Sequence, residues 1–412
     1  MTTASPPATG PYPGLGFRSF VAMIAALMAT NALAIDSMLP ALPEIGEALG
    51  IVTANDRQWV VTSYLLGFGA SQLIYGPLAD RFGRKHILLM GLAVYAIGSL
   101  GATFATSFDA MMVARVVQGV GAAATRVLAV SIVRDTYSGR QMARVMSLAF
   151  IVFLAVPILA PSIGQVIILV APWRWIFALL GLFGVAVALW VARKLPETLH
   201  PEDRTPIALA PMVKAFATCL TTRLSVGYML AMTFVIGSLF GFINASQQLF
   251  EVTFRAEELF TVIFAVIAGF MAVASFLNSR IVERFGMRRV SHTALIGYLV
   301  ATLAHGAVAL AGHETMVTFA LFQCATMFCF GLMASNFGAM AMDPLGHVAG
   351  TASSVQGFVS TVGGALIGFF IGQHFDGTAL PIVLGFGGCG LAALAMVLFA
   401  EKGRLFRPTR TA

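Results

Sequence analysis

The chain has 412 residues, of which 58% are hydrophobic and only 10% are charged. A typical soluble domain has about 25% charged residues, so this chain carries too few charges to cover a water-exposed surface. The composition therefore excludes an ordinary soluble globular protein and predicts one solvated mostly by lipid. The net charge of +7 does not indicate a nucleic-acid partner, because the placement of the basic residues explains it better.

Apolar runs of about 20 residues, the length that crosses a bilayer, recur along the whole chain. The first run is interpreted as a retained span, because no basic stretch precedes it and no small-residue cleavage site follows it. The runs predict twelve membrane-spanning helices at 18–40, 57–78, 87–106, 109–132, 141–168, 173–193, 222–248, 258–279, 290–311, 314–340, 348–373 and 378–400. The predicted fold class is an all-α membrane protein.

A polar segment rich in proline separates the first six spans from the last six, and such composition is typical of a linker. The prediction has five parts: a cytoplasmic N-terminal tail at 1–17, an N-terminal six-helix half at 18–193, a cytoplasmic linker at 194–216, a C-terminal six-helix half at 217–400 and a cytoplasmic C-terminal tail at 401–412.

The orientation follows from the lysines and arginines. Of the 25 basic residues, 20 fall on the side of the two termini, and the other side holds Arg57, Arg174 and Arg255. Basic residues concentrate in cytoplasmic loops. Both termini are therefore predicted to be cytoplasmic, in a multi-pass protein of the bacterial inner membrane.

The loops after the second and eighth spans carry the same motif. Residues 80–85 read DRFGRK, and residues 283–288 read ERFGMR, at an offset of 203 residues. This offset is close to half the chain. Internal repeats of this kind are a common architecture of transporters.

Asp36 is the one acidic residue that this assignment places clearly within a membrane helix. A carboxylate there costs several kcal/mol unless it is paired, hydrated or protonated, so it indicates a functional site by default. We interpret Asp36 as a site of proton coupling or substrate binding. The alternative is that it anchors the outer end of the first span.

Arg115 in the fourth span is the predicted partner of Asp36. At 1.5 Å per residue, Asp36 lies about 27 Å beyond Arg18, and Arg115 lies about 9 Å beyond Asp109. Because the two spans run in opposite directions, the charges are predicted to lie at similar depth. Burial favours a protonated acid and a close arginine favours an ionised one. The hypothesis is that proton and substrate compete for Asp36; the alternative is a structural ion pair.

Polar side chains within the spans are candidates for the substrate cavity, although each alone is more often an interhelical hydrogen bond. The candidates are Asn31, Tyr64, Gln118, Arg126, Asn244, Gln247 and Gln356. Arg126 follows Arg115 by 11 residues, close to three turns, so both face one side of the helix. It could bind an anionic group in the cavity or bond carbonyls near an inner gate.

A set of charged residues after the second span is predicted to form a gate that latches the two halves together. The set is Asp80, Arg81, Arg84 and Lys85. The alternative is that these charges only orient the chain in the membrane.

Three segments resemble a known family. Residues 76–85, GPLADRFGRK, closely resemble the major facilitator superfamily signature between helices two and three, and residues 115–123, RVVQGVGAA, resemble its helix-four motif. Residues 36–43, DSMLPALP, resemble the bicyclomycin/chloramphenicol-resistance branch of drug:proton antiporters, the Bcr/CflA type. Residues 156–165, VPILAPSIGQ, keep the prolines of the antiporter helix-five signature but few of its glycines.

The resemblance implies the major facilitator fold and a secondary active transporter that exports drugs or other small amphiphilic compounds in exchange for protons. Its partners would be substrate, proton and lipid, and it would act as a monomer. The alternative is a permease for a metabolite such as a sugar or an amino acid. No ATP-binding motif G-x-x-x-x-G-K-[ST] is present, and the spans hold no cluster with metal-ligand spacing. We therefore expect no enzyme activity, no metal and no cofactor.

Overall fold

The computed structural model describes residues 15–204 and 209–406, and within these ranges the protein consists of helices joined by short turns, with no β-strand. The long helices of the N-terminal half are α1 (Phe17–Asp36), α3 (Trp59–Phe82), α4 (Arg84–Thr103), α5 (Phe108–Thr136), α6 (Gly139–Val170) and α7 (Arg174–Lys194). Those of the C-terminal half are α9 (Arg223–Gln248), α10 (Phe260–Phe285), α11 (Met287–Leu310), α12 (Met316–Met342), α13 (Ala349–Gln373) and α14 (Leu380–Ala400). Two short helices, α2 (Leu42–Ala48) and α8 (Leu209–Thr221), complete the set.

Eleven of the long helices are long and apolar enough to cross a bilayer. The twelfth, α3, has 24 residues but is less apolar. Its polar side chains Tyr64, Ser71 and Gln72 are buried inside the bundle, where they meet protein rather than lipid. The twelve predicted spans are therefore present, and the chain is a multi-pass membrane protein.

The repeated loop motif adopts the same backbone turn in both halves. Gly83, between α3 and α4, has φ +96°, and Gly286, between α10 and α11, has φ +81°. Glycine adopts such left-handed conformations without the steric cost that a Cβ imposes. The sequence repeat is thus also a repeat of local structure.

The two ends of the bundle differ in what they hold. We call the end where α1 begins and α14 finishes the terminal end, and the end where α1 finishes and α14 begins the far end. The described parts of the predicted linker 194–216 lie at the terminal end and include the start of α8. Cys219 of α8 packs in an apolar cluster with Leu345, Ala352 and Val355 of the C-terminal half, so α8 docks against the start of α13.

Contact between the halves passes mainly through α3 against α13 and α6 against α10. Small residues allow the α3–α13 approach. A Cβ placed on Gly69 would lie 2.7 Å from Val362 Cγ2, and one on Gly357 would lie 2.2 Å from Gln72 Oε1. Close helix crossings of this kind are typical of membrane bundles.

Candidate functional site

Asp36 is the last residue of α1 and is 4% exposed. Its Oδ1 atom has no hydrogen-bond partner among the described residues. The turn that follows, Leu39–Ala41, contacts both α6 of its own half and α9 of the other half. A Cβ on Gly164 of α6 would overlap the Ser37 carbonyl oxygen at 1.7 Å. Protein therefore covers Asp36, which lies at the junction of the two halves and away from lipid.

Arg115 is completely buried in α5 and makes contacts in several directions. Its Nε donates to the Val60 carbonyl at 2.9 Å, and its Nη2 donates to the Ala34 carbonyl at 3.0 Å. Its Nη1 donates to Gln118 Oε1. The guanidinium carbon lies 4.5 Å from the centre of the Tyr64 ring, a distance at which a cation is attracted to the ring face. Arg115 thus braces the far ends of α1, α3 and α5.

The predicted ion pair between Asp36 and Arg115 is not formed in this conformation, since no nitrogen of Arg115 lies within 4.0 Å of Asp36 or of any other carboxylate that the structure describes. The physical reason is the end of α1, whose last carbonyls have no partner within the helix. Arg115 bonds one of them, on Ala34, in place of the side chain two residues further on. The predicted similarity in depth is confirmed by that same contact.

Two other cavity candidates, Asn31 and Tyr64, bond each other. Tyr64 OH donates to Asn31 Oδ1 at 2.8 Å. Tyr64 is fully buried, whereas Asn31 is partly exposed. The pair ties α3 to α1 and presents only Asn31 to a cavity.

Gln118 differs from its prediction. It is fully buried, accepts from Arg115 and donates through Nε2 to Ser99 Oγ of α4 at 2.8 Å. Both the oxygen and the nitrogen of its side-chain amide therefore bond residues of the N-terminal half. Gln118 orients Arg115 and does not line a cavity in this conformation.

A polar clamp closes the far end between the halves. Asn55 Nδ2 donates to the carbonyls of Gln373 and Phe375, each at 3.0 Å, and Gln373 Nε2 donates to the Asn55 carbonyl at 2.7 Å. Gln58 Nε2 donates to Gln248 Oε1 at 2.7 Å and to a carbonyl of α13 at 3.0 Å. We call Asn55, Gln58, Gln248 and Gln373 the far-end clamp; the sequence analysis did not identify it.

The other bonds between the halves extend from this clamp to the middle of α3. Arg57 forms an ion pair with Glu251 at 3.4 Å, and Gln72, in the middle of α3, donates through Nε2 to Thr361 at 3.2 Å. Within the described parts of the chain, every hydrogen bond between the halves involves residues 55–72 of the N-terminal half. These bonds thus join the halves from the far end to the middle of α3 and do not reach the terminal end.

The candidates Asn244 and Gln247 of α9 lie at this interface. Asn244 Nδ2 donates to Thr62 Oγ1 of α3 at 3.5 Å, and Gln247 Nε2 donates to Glu251 at 3.2 Å. Both residues are buried, and the carbonyl oxygen of each side-chain amide has no partner among the described residues. They offer acceptors near the junction where Asp36 lies.

The last two cavity candidates are in more open surroundings. Gln356 of α13 is partly exposed and donates to the Gly338 carbonyl at 3.2 Å. Arg126 of α5 is exposed, ten residues before the end of the helix. It lies on the helix face on which Arg115 bonds α1 and Gly119 packs against α3, so it faces the interior of the bundle and lines a cavity there.

The predicted gate residues bond to the N-terminal half and to the start of the predicted linker. Arg84 pairs with Asp80 at 2.5 Å and with Asp135 at 3.0 Å. Glu197, in the linker, accepts from the backbone N–H groups of Arg84 at 2.7 Å and Lys85 at 3.2 Å. The prediction that this set latches the two halves is not met in this conformation, because none of these acids belongs to the C-terminal half.

Arg81, the fourth member of the predicted gate, is exposed. The C-terminal half has a corresponding network that the sequence analysis missed. Arg288 pairs with Glu401 at 2.6 Å, and Tyr228 OH donates to the same carboxylate at 2.8 Å. Glu401 follows Glu197 by almost the repeat offset of 203 residues, so the internal repeat could have indicated this network.

A histidine pair was also missed. His305 Nε2 lies 2.9 Å from Glu314, and the imidazole stacks on Phe322 with ring centres 4.9 Å apart. The residues are nine positions apart, near the far end of α11. Their proximity depends on the turn into α12, so spacing alone did not indicate it.

A family model described as Major Facilitator Superfamily matches residues 21–368. The chain belongs to this superfamily. It is 31% identical to the bicyclomycin resistance protein homolog of Haemophilus influenzae, over 90% of this chain and 93% of that protein. It is 32% identical to the chloramphenicol resistance protein of Pseudomonas aeruginosa, over 85% and 83% respectively. The multidrug resistance protein MdtL of Klebsiella pneumoniae is 28% identical over 90% and 93%.

Solved structures of the superfamily share the fold at low sequence identity. The xylose transporter XylE of E. coli, in a partially occluded inward-open conformation, has a TM-score of 0.73 at 12% identity and covers 92% of this chain and 97% of its own. The human organic anion transporter MFSD10 has a TM-score of 0.65 at 18% identity, covering 94% and 100%. At these identities the likeness establishes the arrangement of helices alone.

Proposed function

We propose that this chain is a secondary active transporter that exports drugs or other small amphiphilic compounds in exchange for protons. It would act as a monomer in the bacterial inner membrane, with both termini cytoplasmic and the two six-helix halves joined by the linker 194–216. The relatives that it matches over most of their length include proteins named for drug resistance. The observation that carries the coupling mechanism is the buried carboxyl group of Asp36 at the junction of the halves.

In this conformation Asp36 has neither a cation nor a donor on Oδ1. An ionised carboxylate buried without a partner is far less stable than its neutral form. The proton is therefore on Asp36 while the far end is closed. Arrival of substrate from the terminal side would change the surroundings of this group and release the proton to the cytoplasm.

The next step is opening of the far end. Opening must break the far-end clamp and the pair of Arg57 and Glu251, and it hydrates Asp36 from the outer side. A new proton can then bind as the substrate leaves. Arg115 stays in place throughout, because its partners all belong to the N-terminal half; it holds the end of α1 so that Asp36 remains at the junction.

A metabolite permease is the second candidate, and it has less support. The sugar transporters resemble this chain in fold at 12–15% identity, a level at which substrate does not follow from fold. The relatives at about twice that identity are named for drug resistance. Drug export is therefore the function that we favour.

The test is resistance of a pump-deficient bacterial host that produces the protein, with and without a protonophore. We expect resistance to at least one amphiphilic drug, abolished by the protonophore and by Asp36→Asn, with unchanged amounts of protein in the membrane. Asp109→Asn, which changes an exposed acid at the start of α5, is the matched control and should keep resistance.

Full, protonophore-sensitive resistance in the Asp36→Asn variant would disprove the coupling role of this residue. Absence of resistance to every amphiphilic compound, with the wild-type protein present in the membrane, would favour the metabolite permease.

A further inference from the structure

Arg126 is set apart by its position within α5. It lies three turns beyond Arg115 and two turns beyond Gly119, so the three residues share one face of the helix. At Gly119 this face touches α3, since a Cβ there would lie 2.1 Å from the Tyr64 carbonyl oxygen. At Arg126, two turns closer to the terminal end, the same face is exposed. The face that is packed near the closed end therefore opens into a cavity at Arg126.

The other arginines that lie inside the protein have acceptors, whereas Arg126 has none among the described residues. Arg115 has two backbone carbonyls and an amide, Arg84 has two carboxylates and Arg288 has one. Arg126 appears in no hydrogen bond or ion pair that the described residues make. Because a guanidinium does not deprotonate in proteins, its charge remains and must be met by water or by a bound group.

Among the described residues, no acid pairs with Arg126 to compensate its charge. Arg126 lies about 16 Å along α5 from Arg115, which itself lies at the depth of Asp36. In a cavity with low-dielectric walls, an uncompensated cation creates a positive potential that concentrates anions. The cavity thus presents a fixed cation toward the terminal end, whereas Asp36 is covered by protein nearer the far end.

We propose that Arg126 binds an anionic group of the exported compound, most directly a carboxylate, so that the protein prefers amphiphiles that carry one. The planar guanidinium matches a carboxylate in two parallel hydrogen bonds, which gives orientation as well as affinity. The inference rests on the proposed function, because it treats the cavity as the transport pathway. It adds the charge class of the substrate and the residue that selects it.

The test compares two probes that differ only in charge, N-dansyl-phenylalanine and N-dansyl-phenylalaninamide. Their binding to the full-length protein is measured by fluorescence in phosphatidylcholine nanodiscs, against empty discs, so that no anionic lipid headgroup competes for the site. We expect the wild-type protein to bind the acid at least ~10-fold more tightly than the amide, as for a charge-assisted pair. Arg126→Gln should remove this preference and leave amide binding unchanged.

Two further variants make the result specific. Arg126→Lys should keep part of the preference, because it keeps the charge but loses the bidentate geometry. Arg18→Gln, at an exposed arginine of the terminal end, should keep all of it. Addition of phosphatidylglycerol to the discs should leave the preference in place; its loss would assign Arg126 to a lipid headgroup and overturn the proposal.

The proposal is also overturned if wild-type protein binds acid and amide equally, or if Arg126→Gln weakens both probes to the same extent, which is the mark of a structural role. Failure of the proposed function is distinguishable. It would be seen as no proton-gradient-driven export of either probe from proteoliposomes, while the ratio of the two affinities still reports on Arg126.

Discussion

The two halves of the protein handle charge inside the membrane in different ways. The N-terminal half holds Arg115 and Arg126 well within α5 and buries Asp36 at the end of α1. The spans of the C-terminal half carry Asp, Glu, Lys and Arg only near their ends, and this half buries amides such as Asn244 and Gln323. In the proposed mechanism, the N-terminal half supplies the proton-coupling carboxyl group, and the C-terminal half supplies a neutral polar surface that covers or exposes it.

The same contrast is present in the repeated loop. Gly83 and Gly286 give both loops one backbone turn, but Arg84 corresponds to Met287. The N-terminal loop therefore holds its arginine between two acids, while the C-terminal loop uses the next residue, Arg288, and a single acid. The two loops therefore share the backbone turn, which needs glycine, but differ in the charged residues around it.

The largest expected effect comes from removing the buried brace. Arg115→Met leaves two carbonyls and one amide oxygen without their charged donor, at a cost of about 3 kcal/mol or more, since a charge-assisted bond contributes roughly 1.5–3 kcal/mol. The measurement is thermal unfolding of the purified protein in detergent. Gln323→Leu in the C-terminal half should cost little, because Nε2 of Gln323 already has no described partner. Equal losses in the two variants would break the contrast between the halves.

The second largest effect is expected from variants of the two repeated loops. Arg84→Gln loses two carboxylate partners from a side chain that is 5% exposed, and Arg288→Gln loses one carboxylate from a side chain that is 16% exposed. We expect the first variant to lower stability by about 2–3 kcal/mol and the second by about 1–2 kcal/mol, following the usual contribution of charged hydrogen bonds. A larger loss of melting temperature in Arg288→Gln would reverse the order and refute the comparison.

A third effect is on the balance of conformations. Gln58→Leu leaves Gln248 Oε1 without a donor and removes one of two donors to the Gly372 carbonyl, the other being the Phe375 N–H. The loss weakens the closed far end by about 1–3 kcal/mol. A cysteine replacing the buried Thr62, in a protein whose native cysteines are alanine, should then react faster with a membrane-impermeant maleimide. Gln141→Leu, an exposed glutamine at the terminal end, is the control. Unchanged labelling in Gln58→Leu would show that the clamp does not hold the far end closed.

The smallest effect is expected at Arg57. Its pair with Glu251 has a separation of 3.4 Å and side chains that are 20% and 32% exposed, and such pairs contribute roughly 0–1 kcal/mol. Arg57→Gln should therefore raise labelling of the same cysteine less than Gln58→Leu does. The opposite ranking would mean that the ion pair, rather than the buried amides, holds the halves together.

Much of the fold could be predicted because it depends on local properties. Twelve spans follow from the lengths of apolar runs, and the repeated turn follows from glycine at positions 83 and 286. α3 was predicted as a span although it is the least apolar, since its run is still long enough. The burial of Asp36 was indicated by its place in an apolar run, whereas the end of α1 at Asp36 was not, because the first span was predicted to continue to residue 40.

The partners of the site residues could not be predicted in the same way. Arg115 was expected to form an ion pair with Asp36, but it donates to backbone carbonyls. The pattern of side chains in the sequence does not indicate such bonds. Gln118 was expected to line the cavity, but its side chain is buried and donates a hydrogen bond to Ser99. Asn55 was assigned to a loop and Gln58 to the start of the second span, with no role predicted for either, yet they join the halves.

The sequence by itself determined the number of the helices, the repeat and the presence of one carboxyl group at the end of the first span, because hydropathy and glycine act over a few turns. Only the tertiary structure decided which groups meet that carboxyl group, which end is closed and which arginine is left facing a cavity. Those outcomes depend on contacts between helices far apart in the chain, where a rotation or shift of one turn exchanges one partner for another.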